Sequence, residues 1–134
     1  MIVADSSALI EYFRRGGSPA VQEAVAAAIT ADTLAFNGII FVEVVGFAAD
    51  ERERQALLAS FGAFHRLALD DGDFDLAASI GLDLRRRGRT VPATDLVIAA
   101  SAIRAQAELL HIDDRFDEIA SISALASRNP SKPA

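Results

Sequence analysis

The sequence predicts an α/β fold in which βα units surround a parallel sheet. Two observations carry that prediction. Short apolar runs alternate with longer stretches of helical spacing, and two of the apolar runs end in an aspartate followed at once by a helical pattern. At 134 residues the chain can enclose one core and is too short for two domains.

The first strand covers about Met1 to Ala4, and a helix follows to about Arg14. "RRGGSP" then supplies C-terminal positive charge, glycines and a Ser18-Pro19 helix start for the alanine-rich "PAVQEAVAAAIT". "TLAFN" reads as a short strand leading into "GIIFVEVVGFAAD". "ERERQALLASFGAF" has helical spacing in Leu57, Leu58, Phe61 and Phe64, and "HRLAL" is a third strand candidate. "DDGDFDLAASIGLDLRRRG" begins with acids and ends with arginines and Gly88, matching the helix dipole at both ends. "TDLVIAASAIRAQA" is a helix with Thr94 as its expected N-cap, "ELLHI" is a strand, and "DDRFDEIASIS" is a last short helix. The polar "SRNPSKPA" is expected to be loose, so residues 1–128 form a single domain and 129–134 a tail.

Composition narrows the chemistry. There is no cysteine, which excludes disulfides, thiolate metal sites and cysteine nucleophiles. Twelve of the thirteen cationic residues are arginine and the only lysine is Lys132, so a mechanism needing a core lysine has no candidate. A formal net charge of −6 argues against gripping nucleic acid through a generally basic surface, though local patches such as "RRRGR" (Arg85 to Arg89) or Arg14-Arg15 remain available. No apolar run reaches the about 18 residues of a membrane span, and the first residues lack signal-peptide character, so no membrane association and a cytoplasmic location are expected.

Four carboxylates stand in unusual places. Asp5 closes an apolar strand, where open α/β sheets place ligands, although a helix N-cap also explains it. Glu43 lies in "GIIFVEVVGFAA", apolar on every side, which predicts burial and therefore a partner: an arginine, a hydrogen-bond donor or a cation. Asp95 occupies the first turn of a strongly apolar helix. Asp113 follows "LLHI" and repeats the Asp5 pattern, with Asp114 beside it. Because all strands of a parallel sheet end along one edge, these acids can converge. Converging carboxylates repel unless a cation joins them, and an all-oxygen set suits Mg²⁺ or Mn²⁺. Such an ion activates water and bridges phosphate oxygens, which points to phosphodiester hydrolysis. Zinc fits less well, since His65 and His111 are the only histidines and neither has a ligand-like spacing; both read as structural.

"VADSSALIEYF", "IIFVEVV", "VPATDLVIAA" and "LLHIDDRFDEIA" resemble, in order, the four acidic motifs of PIN-domain ribonucleases, and in particular VapC toxins of toxin–antitoxin systems. The resemblance runs from Ile2 to about Ile122. It implies an α/β/α sandwich with a central parallel sheet of four or five strands. It also implies Mg²⁺- or Mn²⁺-dependent cleavage of transfer or ribosomal RNA, a homodimer, and inhibition by a VapB-type antitoxin. Carried over by position, Asp5, Glu43, Asp95 and Asp113 form the catalytic and metal-binding quartet. Ser7 orients Asp5, Thr94 is the small polar residue before the third acid, and Arg115 is a further candidate for a substrate-binding or orienting role. The chain departs from the pattern at Ser6, where threonine is commoner, and at Arg115, where the family often has an acid or histidine. Phe116 fixes the register on Asp113, and Asp114 is a substitute metal ligand.

Three other classes fit the same residues less completely. One is a PIN nuclease of RNA processing without an antitoxin. Another is a phosphate-transferring enzyme of the DxD type, weakened because Ser7 stands two places after Asp5 and no core lysine is available. The third is a Mg²⁺- or partner-binding module without catalysis. The apolar surface of "ALIEYF" and "EVVGFAADERERQALLASF" is a candidate dimer face or groove for an antitoxin helix.

Overall fold

The structure, a computed structural model, describes residues 1–133; Ala134, the end of the expected tail, lies outside the described residues. Five strands form a single all-parallel sheet: β1 (Ile2–Ala4), β2 (Leu34–Asn37), β3 (His65–Leu67), β4 (Glu108–Leu110) and β5 (Ser127–Arg128), in the order β3-β2-β1-β4-β5. Seven helices flank it: α1 (Ser6–Phe13), α2 (Pro19–Thr30), α3 (Gly38–Val45), α4 (Glu51–Phe61), α5 (Asp71–Arg86), α6 (Ala93–Arg104) and α7 (Asp114–Ala120). The expected α/β architecture is therefore present.

The strands are short but almost dry. Val3, Ala4, Leu34, Ala35, Phe36, Leu109 and Leu110 are all buried, as residues of a parallel sheet covered on both faces must be. Strand β1 pairs Ile2 with Leu34 on one side and with Glu108 on the other. The chain thus builds outward from β1 to β2 and β3, then returns to the opposite side for β4 and β5. The crevice between β1 and β4 is where the winding reverses, the place at which such sheets accept ligands.

Local chemistry fixes each helix start. Asp5, Ser18, Asn37, Asp50, Asp70 and Asp113 each cap a helix through a side-chain oxygen that accepts a backbone N–H. Helix α5 ends in a Schellman turn: Arg89 N–H donates to Leu84 C=O at 2.9 Å, Gly88 N–H donates to Arg85 C=O at 3.0 Å, and Gly88 adopts φ +77°.

Three expectations are corrected. Thr94 is not the N-cap of α6; the cap position is Pro92, without a side-chain bond, because its fixed φ of −56° starts the helix earlier. Thr94 therefore lies inside the first turn with an exposed side chain. Helix α3 is not buried all round: Val42 is 63% exposed and Glu43 is only half-buried. Finally, Ser127 and Arg128 are not loose. They pair with Leu109 and Leu110, and Lys132 beyond them reaches Asp114 and Asp117.

Candidate active site

Asp5 leaves the C-terminal end of β1, where its N–H donates to Leu110 C=O across the β1–β4 crevice at 3.0 Å. One carboxylate oxygen accepts the Ala8 N–H at 2.8 Å and so caps α1. Ser7 Oγ lies 2.7 Å and 2.9 Å from the two Asp5 oxygens, and itself accepts the Ile112 N–H at 3.2 Å. Ser7 thereby ties the first acid to the end of β4, the segment that carries Asp113. Asp5 is 3% exposed, and burial pushes its carboxyl up to about 7 although both hydrogen bonds pull the other way.

Glu43 reaches the same edge from α3. Its partner is Ser6, whose Oγ donates to Oε1 at 2.9 Å. Of the three partners open to it in the sequence, a hydrogen-bond donor is the one found. The role of Ser6 is what sequence reasoning missed; its signals were a second hydroxyl beside Ser7 and its place in the first acidic motif, where threonine is commoner.

Asp95 sits in the first turn of α6 and is 9% exposed. Its Oδ2 is buried and has no hydrogen bond among the described residues. Arg115 Nε lies 3.3 Å from that oxygen, close enough for ion pairing but with its N–H directed to Asp113 instead. Burial raises the Asp95 carboxyl above its ordinary range, Arg115 offsets part of that rise, and the charges of Asp113 and Glu43 add to it.

Asp113 follows β4 and caps α7 through the Arg115 N–H, 3.0 Å from Oδ1. The Arg115 side chain holds it by Nη2 at 2.6 Å and Nε at 3.0 Å from Oδ2, which keeps its carboxyl below the usual carboxylate range. Asp113 N–H donates to His111 Nδ1 at 3.1 Å, so buried His111 supports the turn in its neutral form. His65, by contrast, bonds Asp32 at the far end of β3.

Asp5, Glu43, Asp95 and Asp113 thus face one another across the strand ends, near enough that Asp5 feels the charges of Asp95 and Asp113, and Asp95 those of Asp113 and Glu43. Asp114 and Thr94 do not join them. Asp114 turns outward to Lys132, and the Thr94 side chain makes no hydrogen bond among the described residues. As the side chains stand, no three acids or histidines among the described residues are grouped closely enough to hold a metal ion; the Arg115 guanidinium stands among them. The donor set nevertheless fits a hard divalent cation. Every ligand atom is oxygen, Asp95 Oδ2 is buried without a hydrogen bond, and Asp5 is desolvated beside two further acids.

The PIN-domain family model matches residues 2–122. The chain belongs to the PIN-domain family. Two similar proteins are the VapC ribonuclease Mb1587 of Mycobacterium bovis and ribonuclease VapC11 of Mycobacterium tuberculosis. Each is 38% identical over 128 residues, covering 93% of this chain and 96% of the relative. The solved structure of VapBC-1 from nontypeable Haemophilus influenzae superposes with a TM-score of 0.80 at 19% identity, covering 98% of this PIN domain and all of that chain. That likeness is one of fold.

Proposed function

We propose that this PIN domain is a metal-dependent endoribonuclease of the toxin–antitoxin kind, acting in the cytoplasm on transfer or ribosomal RNA and restrained by a VapB-type antitoxin. The observation that carries the reading is the buried Asp95 Oδ2 without a hydrogen bond, facing Asp5, Glu43 and Asp113 at the switch point of the sheet. Two relatives that bear the name VapC ribonuclease across nearly the full chain support the substrate class.

Asp5, Asp95 and Glu43 would hold Mg²⁺, or Mn²⁺, directly or through water. When bound, the ion neutralises phosphate charge and lowers the pKa of water. The remaining work belongs to side chains. Ser7 and the Ala8 N–H fix the Asp5 oxygens, and Ser6 fixes Glu43. Asp113, its carboxylate oriented by the Arg115 N–H, takes a proton from the attacking water. The water oxygen bonds to phosphorus as the P–O3′ bond breaks and solvent protonates the leaving oxygen. The products are a 5′-phosphate and a 3′-hydroxyl.

Arg85, Arg86, Arg87 and Arg89 lie at the end of α5 and in the turn that leads into α6, the helix that carries Asp95. They are exposed, and only Arg87 has an ion-pair partner among the described residues, so they are proposed to take RNA phosphates. Ile10, Phe13, Val44, Phe47 and Leu57 line a cleft of about 250 Å³, and Phe47 is 82% exposed. This apolar face is proposed as the homodimer and antitoxin surface.

End-group analysis of the cleaved RNA tests the chemistry. Fragments with a 5′-phosphate and a 3′-hydroxyl support water as the nucleophile; 2′,3′-cyclic phosphate ends reject it.

A further inference from the structure

We propose that Arg115 is a built-in counter-cation that pairs with Asp95 and Asp113 and competes with the divalent ion for the Asp95 carboxylate, and so sets how tightly the acidic pocket takes up metal. The inference rests on the reading of the site as cation-dependent.

Four features lead to it. The guanidinium touches both acids at once, with Nη2 2.6 Å from Asp113 Oδ2 and Nε 3.3 Å from Asp95 Oδ2. It neutralises Asp95 without saturating it, since that oxygen keeps no hydrogen bond and stays open to a better ligand partner. The Arg115 side chain is 48% exposed and sits on the first turn of α7, so it can rotate into water without moving the backbone. When it leaves, the Arg115 N–H, 3.0 Å from Asp113 Oδ1, still orients that carboxylate.

A guanidinium and a divalent ion on the same oxygens repel each other, so one must give way. In the absence of metal, Arg115 offsets the mutual repulsion of the acids and keeps the strand ends together. Metal uptake carries the cost of breaking its fork to Asp113, a charge-assisted pair of hydrogen bonds.

The test is Mn²⁺ binding to metal-free protein, followed by electron paramagnetic resonance of free Mn²⁺, for the wild type, Arg115→Ala, Arg115→Gln, Arg115→Lys and Asp95→Asn. The expected result is at least about tenfold tighter Mn²⁺ binding by Arg115→Ala and Arg115→Gln, the order that removing a unit charge a few ångströms away produces at a half-exposed site. Arg115→Lys, which keeps the charge and loses the fork, falls between. Melting in EDTA gives a second readout: the neutral variants melt below the wild type and gain more from added Mn²⁺. Equal or weaker Mn²⁺ binding by the neutral variants, with Asp95→Asn binding less than the wild type, overturns the inference and leaves the metal site standing. No Mn²⁺ binding by either wild type or Arg115→Ala overturns both. Arg115→Gln, close in volume, carries the comparison if Arg115→Ala fails to fold.

Discussion

Replacing Asp5 with asparagine should stabilise the metal-free protein while destroying its site. The Asp5 carboxyl titrates at about 7 in the folded chain, against an ordinary value of 3.8, and burial is the main cause. Between about pH 4 and pH 7 the native state therefore holds a proton that the unfolded state has released. Stability falls as pH rises through that window and stays low above it. At 1.36 kcal/mol per unit, the shift amounts to about 4 kcal/mol lost by pH 8. The asparagine carbonyl can still accept the Ala8 N–H and its amide can meet Ser7, so the variant keeps the cap without the buried charge. Urea unfolding in EDTA at pH 5 and pH 8 measures the effect. With a urea m-value of about 2 kcal/mol per molar, the Asp5→Asn midpoint at pH 8 should lie about 2 M above the wild type. At pH 5 the two should lie much closer. Equal midpoints at pH 8, or a difference that does not shrink on acidification, would refute the reasoning that burial of this carboxylate strains the metal-free fold.

Ser6→Ala removes the hydrogen bond that orients Glu43, and should lower kcat roughly tenfold with little change in KM or melting temperature, the consequence of losing about 1 to 1.5 kcal/mol of positioning. Steady-state cleavage of a defined RNA checks it; an unchanged kcat removes Glu43 from the machinery. Replacing Arg85, Arg86, Arg87 and Arg89 together with alanine should flatten the dependence of log K for RNA on log salt, by about 0.7 for each phosphate that the protein no longer neutralises. A slope equal to the wild type's removes the patch from the substrate path. Phe47→Asp, at an 82% exposed apolar position, should convert a dimer to a monomer in light scattering without lowering the monomer's own melting temperature. A wild-type monomer, or an unaffected dimer, moves the interface elsewhere.

The parallel sheet was legible because burial on both faces demands apolar runs, and "IVA", "LAF" and "LL" supply them. The acids were legible because a carboxylate at a strand end or inside an apolar helix is costly without a purpose. What escaped was held by interactions that leave no pattern in the sequence. Strand β5 is two polar residues fixed by backbone bonds: Leu109 N–H to Ala126 C=O at 2.8 Å and His111 N–H to Arg128 C=O at 3.1 Å. Glu43 was expected to be buried because its neighbours are apolar, but Val42 beside it is exposed on a face that helical spacing alone does not assign. Ser6 works across 37 positions, a distance no local pattern spans. Arg115 stood out as a departure from the family motif, yet its placement between Asp95 and Asp113 depends on how α6 and α7 pack.

The central claim is that the acids at the β1–β4 switch point hold a divalent cation and cut RNA with it. Incubating purified, antitoxin-free protein with total cellular RNA, with Mg²⁺, with EDTA, and as Asp95→Asn, tests it most directly. Discrete fragments that appear with Mg²⁺ and vanish both with EDTA and in folded Asp95→Asn are the predicted result. Fragments that survive chelation, or that Asp95→Asn produces at the wild-type rate, would contradict it.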